Sequence, residues 1–264
     1  MTRNQELTTG AAALSIASLL FIGGTGAGAT APTTEPPGAP DSTATPVIDP
    51  GDGGNYAPMI DPADFVAVVD NPYFPLARGA RWEYNAVTED GNEHNVVEVT
   101  PASHEVMGID VTVVHDVVEV EGQAVEDTLD YYAQDSSGNV WYFGESVRNY
   151  TNGALDNTDG SWEAGIDGAL PGIVMPAEQT VGHAYRQEYY AGKAEDLGEI
   201  IGTGDHVDVP AGSFDDVVVT RDWNPLEPDV IEQKYYAPGV GVVREDTVAG
   251  GQETSDLVSY TAGG

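Results

Sequence analysis

Apolar and polar positions alternate with a period of two along most of the chain from about residue 63. That is the spacing at which successive side chains leave opposite faces of a β-strand. The runs 81–87 (RWEYNAV) and 111–120 (VTVVHDVVEV) show it most clearly. Further runs lie at 125–134, 140–143, 185–190, 195–201, 206–209, 214–223, 231–237, 240–244 and 254–260. Turn residues separate them, as in Asp135-Ser136-Ser137-Gly138 and Pro238-Gly239, the latter fitting a type II turn. No stretch sustains a helical stripe, and one short helix is expected at 62–69 behind Asp61 as N-cap. Strands that follow one another without helices imply an antiparallel arrangement. The expectation is an all-β fold: a single strongly curved antiparallel sheet, half-barrel or barrel-like, of about ten to twelve strands, with at most one or two short helices.

Two runs depart from the usual pattern of one apolar and one polar face. In 185–190, Tyr185, Gln187 and Tyr189 alternate with Arg186, Glu188 and Tyr190. In 231–236, Ile231, Gln233 and Tyr235 alternate with Glu232, Lys234 and Tyr236. Two arrangements account for tyrosine on both faces: a polar, aromatic-lined concavity, or a solvated outer face partly covered by rings.

Ahead of the alternating region the pattern changes twice. Arg3 precedes an apolar run at 11–24, and Ala27-Gly28-Ala29 matches a small-x-small cleavage site. Residues 1–29 therefore read as a secretory signal peptide, too short in its apolar run to span a membrane. Residues 30–62 (with APTTEPPGAP, STATP and DPGDGG) hold no Lys or Arg and five acids, the composition of a disordered linker. The β domain is expected at 63–264. No later apolar stretch reaches spanning length, so no transmembrane segment is expected after cleavage, and the location is secreted or cell-surface.

Three segments carry a resemblance. They are Asn71-Pro72-Tyr73-Phe74-Pro75-Leu76 with Gly79 and Arg81-Trp82-Glu83-Tyr84; Val209-Pro210-Ala211-Gly212-Ser213-Phe214-Asp215-Asp216; and Tyr235-Tyr236-Ala237-Pro238-Gly239-Val240-Gly241. Together they resemble a broad group of uncharacterised secreted bacterial β-proteins, similar in architecture to the half-barrel lipoprotein carriers. The resemblance covers most of 71–244. It implies a curved sheet able to hold an apolar ligand, and it implies no catalytic residue.

Charge changes the picture next. The chain holds 9 Lys+Arg against 44 Asp+Glu, a formal net charge of −35, and no cysteine. Such a chain repels phosphate backbones, which excludes a nucleic-acid partner. Without cysteine there is no disulfide, thiolate metal site or cysteine nucleophile. The 63–264 region holds 38 of the 44 acids, while lysine is confined to Lys193 and Lys234. Spread so evenly, the acids read as a surface adapted to salt, which screens their repulsion.

Candidate chemistry is sparse. None of His94, His104, His115, His183 and His206 has metal-ligand spacing, and His104-Glu105 lacks the second histidine of a zincin motif. His115 interrupts an apolar stripe, as a hydrogen-bonded core histidine does. Asp156-Asn157-Thr158-Asp159-Gly160 starts like a calcium loop, but with Gly160 at position 6 the first position is Leu155. Asp156, Asp159 and Glu163 remain the candidate Ca²⁺ ligands, with Glu195/Asp196/Glu199 a second cluster. No other cofactor is expected.

The span 160–199 reads as a long, irregular, partly apolar connection, of the kind that forms lids and binding loops. Placed across the mouth of the sheet, it would gather Trp162, Met175, Arg186, Glu188 and Tyr190, with Trp141 beside them, into a ligand site. The function expected is a non-enzymatic binding module for a small apolar or amphipathic molecule. The alternatives are a cell-surface interaction protein with carboxylate Ca²⁺ sites and a hydrolase with a carboxylate or His115-based site.

Overall fold

The computed structural model describes residues 55–88 and 90–264. The expected signal peptide and residues 30–54 of the expected linker lie outside the described residues. Asp61 caps a 3-10 turn at Pro62–Asp64, its side chain accepting from the Ala63 N–H at 3.0 Å. The chain then extends into β1 (Phe65–Val66) instead of continuing as the helix expected to 69, because this pair ladders onto Asp135 and Gln134.

The long strands follow: β2 (Arg81–Thr88), β3 (Gly91–Val106), β4 (Ile109–Val120), β5 (Gln123–Asp135) and β6 (Val140–Thr151). Four short ones succeed them: β7 (Ala154–Asn157), β8 (Trp162–Glu163), β9 (Leu170–Met175) and β10 (Ala184–Arg186). The rest are β11 (Glu188–Tyr189), β12 (Leu197–Val209), β13 (Gly212–Trp223), β14 (Ile231–Ala237), β15 (Gly241–Ala249) and β16 (Thr254–Thr261). Sixteen strands exceed the ten to twelve expected. Four of the extra ones, β1, β7, β8 and β9, are two to six residues long, too short for alternation to show. The largest omission was β3, whose sequence contains Pro101 and a polar run; a register shift between Val99 and Ser103 accommodates both.

Successive long strands pair as antiparallel hairpins, several through two-residue turns with both residues at positive φ. Met107-Gly108, Glu121-Gly122 and Asn152-Gly153 are of this kind, the turn whose twist matches the strands it joins. Pro238-Gly239 makes the expected turn, with Gly239 at φ 76° and the Val240 N–H bonded to the Ala237 carbonyl at 3.1 Å.

The ladder runs β10-β12-β13-β14-β15-β16-β2-β3-β4-β5-β6-β9-β11, with β1 on β5 and β7 and β8 on β6. Its two terminal strands, β10 and β11, are separated in sequence by Gln187 alone, so the chain itself nearly closes the sheet into a barrel. The seam is tight: a Cβ on Gly172 would stand 2.3 Å from the Gln187 carbonyl carbon. The span 160–199 is therefore not an irregular lid; β8 to β11 and the start of β12 belong to the wall.

Within the bore, Phe74 from the 67–80 segment lies between strands on opposite sides, 5.3 Å from the Tyr132 ring on β5 and 6.4 Å from Tyr236 on β14. Asn71 fixes this segment, its amide reaching the Gly138 and Pro176 carbonyls while Gln134 accepts from its backbone N–H. Tyr56 also packs on the barrel, donating to the Pro171 carbonyl at 2.8 Å, so contacts with the wall begin ahead of residue 63.

Candidate functional site in the barrel interior

The inward faces of the long strands share one gradient. On β5 the buried side chains run Tyr132, Asp130, Thr128, Glu126; on β14 they run Tyr236, Lys234, Glu232. On β3 they run Val99, Val97, Asn95, Glu93, and on β13 Val218, Thr220, Asp222. Cross-strand partners stand at matching heights: Asp116 faces Thr128, Val114 faces Asp130, Lys234 faces Glu245, and Asp222 faces Glu232. The interior thus has two strata. One holds Trp82, Tyr84, Tyr132, Tyr142 and Tyr236 with Phe74 and valines; the other is a belt of carboxylates.

Ten buried Asp and Glu occur among the described residues: Glu93, Asp116, Glu126, Asp130, Glu145, Glu188, Asp196, Asp222, Glu232 and Glu245. The charge is accordingly not the property of the surface alone that its even spread in the sequence implied. Burying an ionised carboxylate without a cation costs several kcal/mol, and several carboxyls of the belt have their pKa raised in response. Burial, reinforced by Glu253, Glu245 and Glu126, pushes the Glu93 carboxyl up to about 8. Burial pushes Asp130 up to about 7 although the Tyr142 hydroxyl donates to it at 2.7 Å. Asp116 is raised well above the usual carboxylate range by burial and by Asp130 and Glu126.

Lys234 divides the belt in two. Its ammonium lies 3.3 Å from Asp222 and 4.0 Å from Glu245, buried with both. Burial opposes its charge, but Glu245 and Asp222 outweigh that and hold its pKa well above normal. The same ammonium lowers the pKa of Glu245, Glu232 and Asp196, whose burial raises them. In the half built by β3 to β6, no basic side chain tempers Glu93, Asp116, Glu126 or Asp130. There Asp130 Oδ2 and the Tyr132 hydroxyl, both fully buried, have no hydrogen-bond partner among the described residues. Tyr132 stacks on Tyr142 at 5.0 Å, and its hydroxyl is held neutral by burial and by Asp130 and Asp116.

At the rim, between the tips of the β2–β3 and β15–β16 hairpins, a concavity of about 750 Å³ is lined by Asn85, Asn92, Glu93, Glu121, Gln252 and Thr254, among others. Glu93 belongs both to this concavity and to the belt.

The residues expected to bind ligand fall in several places. Glu188 is in the belt, hydrogen-bonded to Asp196. Trp162 meets Tyr142 edge-on at 5.4 Å, and Met175 is fully buried in the core. Trp141 instead donates to Asp135 at 2.8 Å and packs against Phe65 of β1. Arg186 lies over the Tyr189 ring at 4.8 Å, and Tyr190 is covered by Lys193. Each of the six thus has partners of its own in the wall.

The expected calcium ligands also diverge: Glu163 accepts from His104 at 2.9 Å, Asp156 from Asn157, and the Asp159 carbonyl from Asn149. Among the described residues no three His, Asp or Glu are placed to hold a metal ion. Glu195 accepts from the Gly192 N–H, and Glu199 lies 3.7 Å from Arg221.

Besides His104–Glu163, two further His–carboxylate groupings lie on the outside. His115 is half-exposed, 3.1 Å from Asp127. His206 Nδ1 is 2.8 Å from Asp215, with Ser213 Oγ 3.4 Å from Nε2, on the β12–β13 hairpin. The order of atoms is that of a serine hydrolase, but the group stands in open solvent and the Ser213 hydroxyl also bonds Asp208, lowering that carboxyl's pKa. It offers no cleft and no free nucleophile.

The alternation on β5 could not locate the belt. Glu126, Thr128, Asp130 and Gln134 share a face that polarity alone assigns to solvent; the structure turns it inward. The usable signal was in 231–236, where charge and tyrosine share a face.

No protein-family model matches the chain, and no curated protein matches it. Two solved structures are similar over 72% of this chain and 99% of theirs, each with a TM-score of 0.40. One is a protein from Bacteroides fragilis NCTC 9343, described as exported with a YmcC-like fold, 19% identical; the other, from Parabacteroides distasonis ATCC 8503, is described as a lipoprotein and is 16% identical. At that degree of likeness they carry no argument about what this chain does.

Proposed function

We propose that the protein is an exported, non-enzymatic binding domain that encloses an amphipathic small molecule within the barrel. The observation that carries this reading is the stratified bore: aromatic rings on one level and polar, partly unsatisfied groups on the next, facing the same interior. A purely structural core has no use for buried carboxylates, which cost stability and add no packing advantage over apolar side chains of the same volume. Amphipathic ligands are recognised by this combination of apolar wall and a few placed polar groups. Glu93, shared by the rim concavity and the belt, supports entry from that side. Export is supported by the charge, apolar run and small residues of 1–29.

Native mass spectrometry of the protein purified from its own host tests the reading. A one-to-one adduct that disappears on denaturation is expected. Protein that is adduct-free from the host, and that takes up no amphiphile of any charge afterwards, overturns it.

A further inference from the structure

We propose that the half of the interior formed by β3 to β6 takes the ammonium head of an organic cation, the Tyr132–Tyr142 stack receiving its apolar part. The inference rests on the enclosed-ligand reading and adds the charge of the ligand.

The barrel itself shows how it treats an ammonium. Lys234 is buried among Asp222, Glu232 and Glu245, close enough to Asp222 for a charge-assisted contact at 3.3 Å. The half formed by β3 to β6 repeats the acids without the lysine: Glu93, Asp116, Glu126, Asp130 and Glu145 are all buried there. Two buried atoms there point to a missing partner independently of the acid count. They are Asp130 Oδ2 and the Tyr132 hydroxyl, which lies one inward position along β5 from Asp130. An ammonium has donors for carboxylates, and a tyrosine oxygen can accept a further one. The adjacent ring faces suit both the alkyl part and the positive charge.

A metal ion fits less well. Hard divalent cations need six or more converging oxygens, and among the described residues no three carboxylates or histidines are so placed. A purely apolar ligand would leave Asp130 Oδ2 and the Tyr132 hydroxyl without a partner, and an anionic one would add negative charge beside carboxyls that already repel one another.

The test is isothermal titration of the full chain at pH 8 with three ligands of equal chain length: hexylammonium, hexanol and hexanoate. Hexylammonium is expected to bind at least ten-fold more tightly than the other two. Asp116→Asn, and separately Glu126→Gln, should each weaken it at least ten-fold while the far-UV spectrum and cooperative melting are kept. If hexanol binds as well as hexylammonium, the enclosed-ligand reading stands and the cation is overturned. If none of the three binds, both fall. If hexylammonium binding survives both substitutions, the cation sits on the acidic surface and the assignment is wrong. If Ca²⁺ at equal concentration displaces it, the site is a metal site and the organic cation is overturned.

Discussion

Lys234 and Asp222, on neighbouring strands β14 and β13, form an ion pair at 3.3 Å with both side chains at most 5% exposed. Removing one partner of such a pair leaves a buried charge uncompensated. Lys234→Met is therefore expected to cost about 3–5 kcal/mol at pH 8. The loss should shrink as pH falls, since burial raises the Glu232 and Glu245 carboxyls and so favours their protonated forms. Denaturant unfolding over a falling pH series checks both statements.

The belt also sets a pH dependence for the whole domain. Glu93 and Asp130 titrate at about 8 and about 7 in the folded state, well above ordinary carboxyl values near 4. Between those values the native state binds more protons than the unfolded chain, so stability falls as pH rises. Each such group removes up to about 1.4 kcal/mol per pH unit across its window. The melting temperature is expected to decline from pH 5 to pH 9. A maximum at pH 8 in ligand-free protein would contradict the folded-state protonation.

Salt and pH should act on different acids. Exposed carboxylates are screened by salt, whereas buried ones are screened much less. Raising NaCl from dilute to molar is expected to raise the melting temperature. The downward slope against pH should persist at both salt levels, which a two-dimensional melting series reads directly.

The seam offers a steric test. Gly172 stands where a Cβ would come 2.3 Å from the Gln187 carbonyl carbon and 2.4 Å from its oxygen. Gly172→Ala must push β9 away from the β10–β11 segment, at a cost of about 1–3 kcal/mol as for other overpacked sites. Loss of amide-exchange protection at 184–190 ahead of β3 to β5 would show that the damage is at the seam.

Much of the wall was legible in the sequence because period-two alternation is a property of strands whatever their inner face carries. The 231–237 run was read with the bounds that β14 has, and the Pro238-Gly239 turn was read from its residues. Which face points inward was not legible. On β5 the convention that polar residues face water assigns Glu126, Thr128 and Asp130 outward, and the closed barrel places them inside. A barrel-like sheet was expected, but the place of its seam escaped because β10 and β11 are three and two residues long. The scattered acids become one belt only when β2 and β16 pair across the full length of the domain.

That last pairing, Tyr84 opposite Leu257 and Arg81 opposite Thr261, joins the first long strand to the final one. Until β16 is in place, the inner faces of all the intervening strands lie open to water. In the open chain Glu93, Asp116, Glu126, Asp130, Glu232 and Glu245 have ordinary carboxyl acidity and are ionised at neutral pH. Charge on what will become the inner face discourages one unfinished sheet from adding to another, as charged gatekeepers do beside aggregation-prone strands. The carboxylates that burden the closed barrel thus keep the incomplete one in solution during a slow, long-range closure.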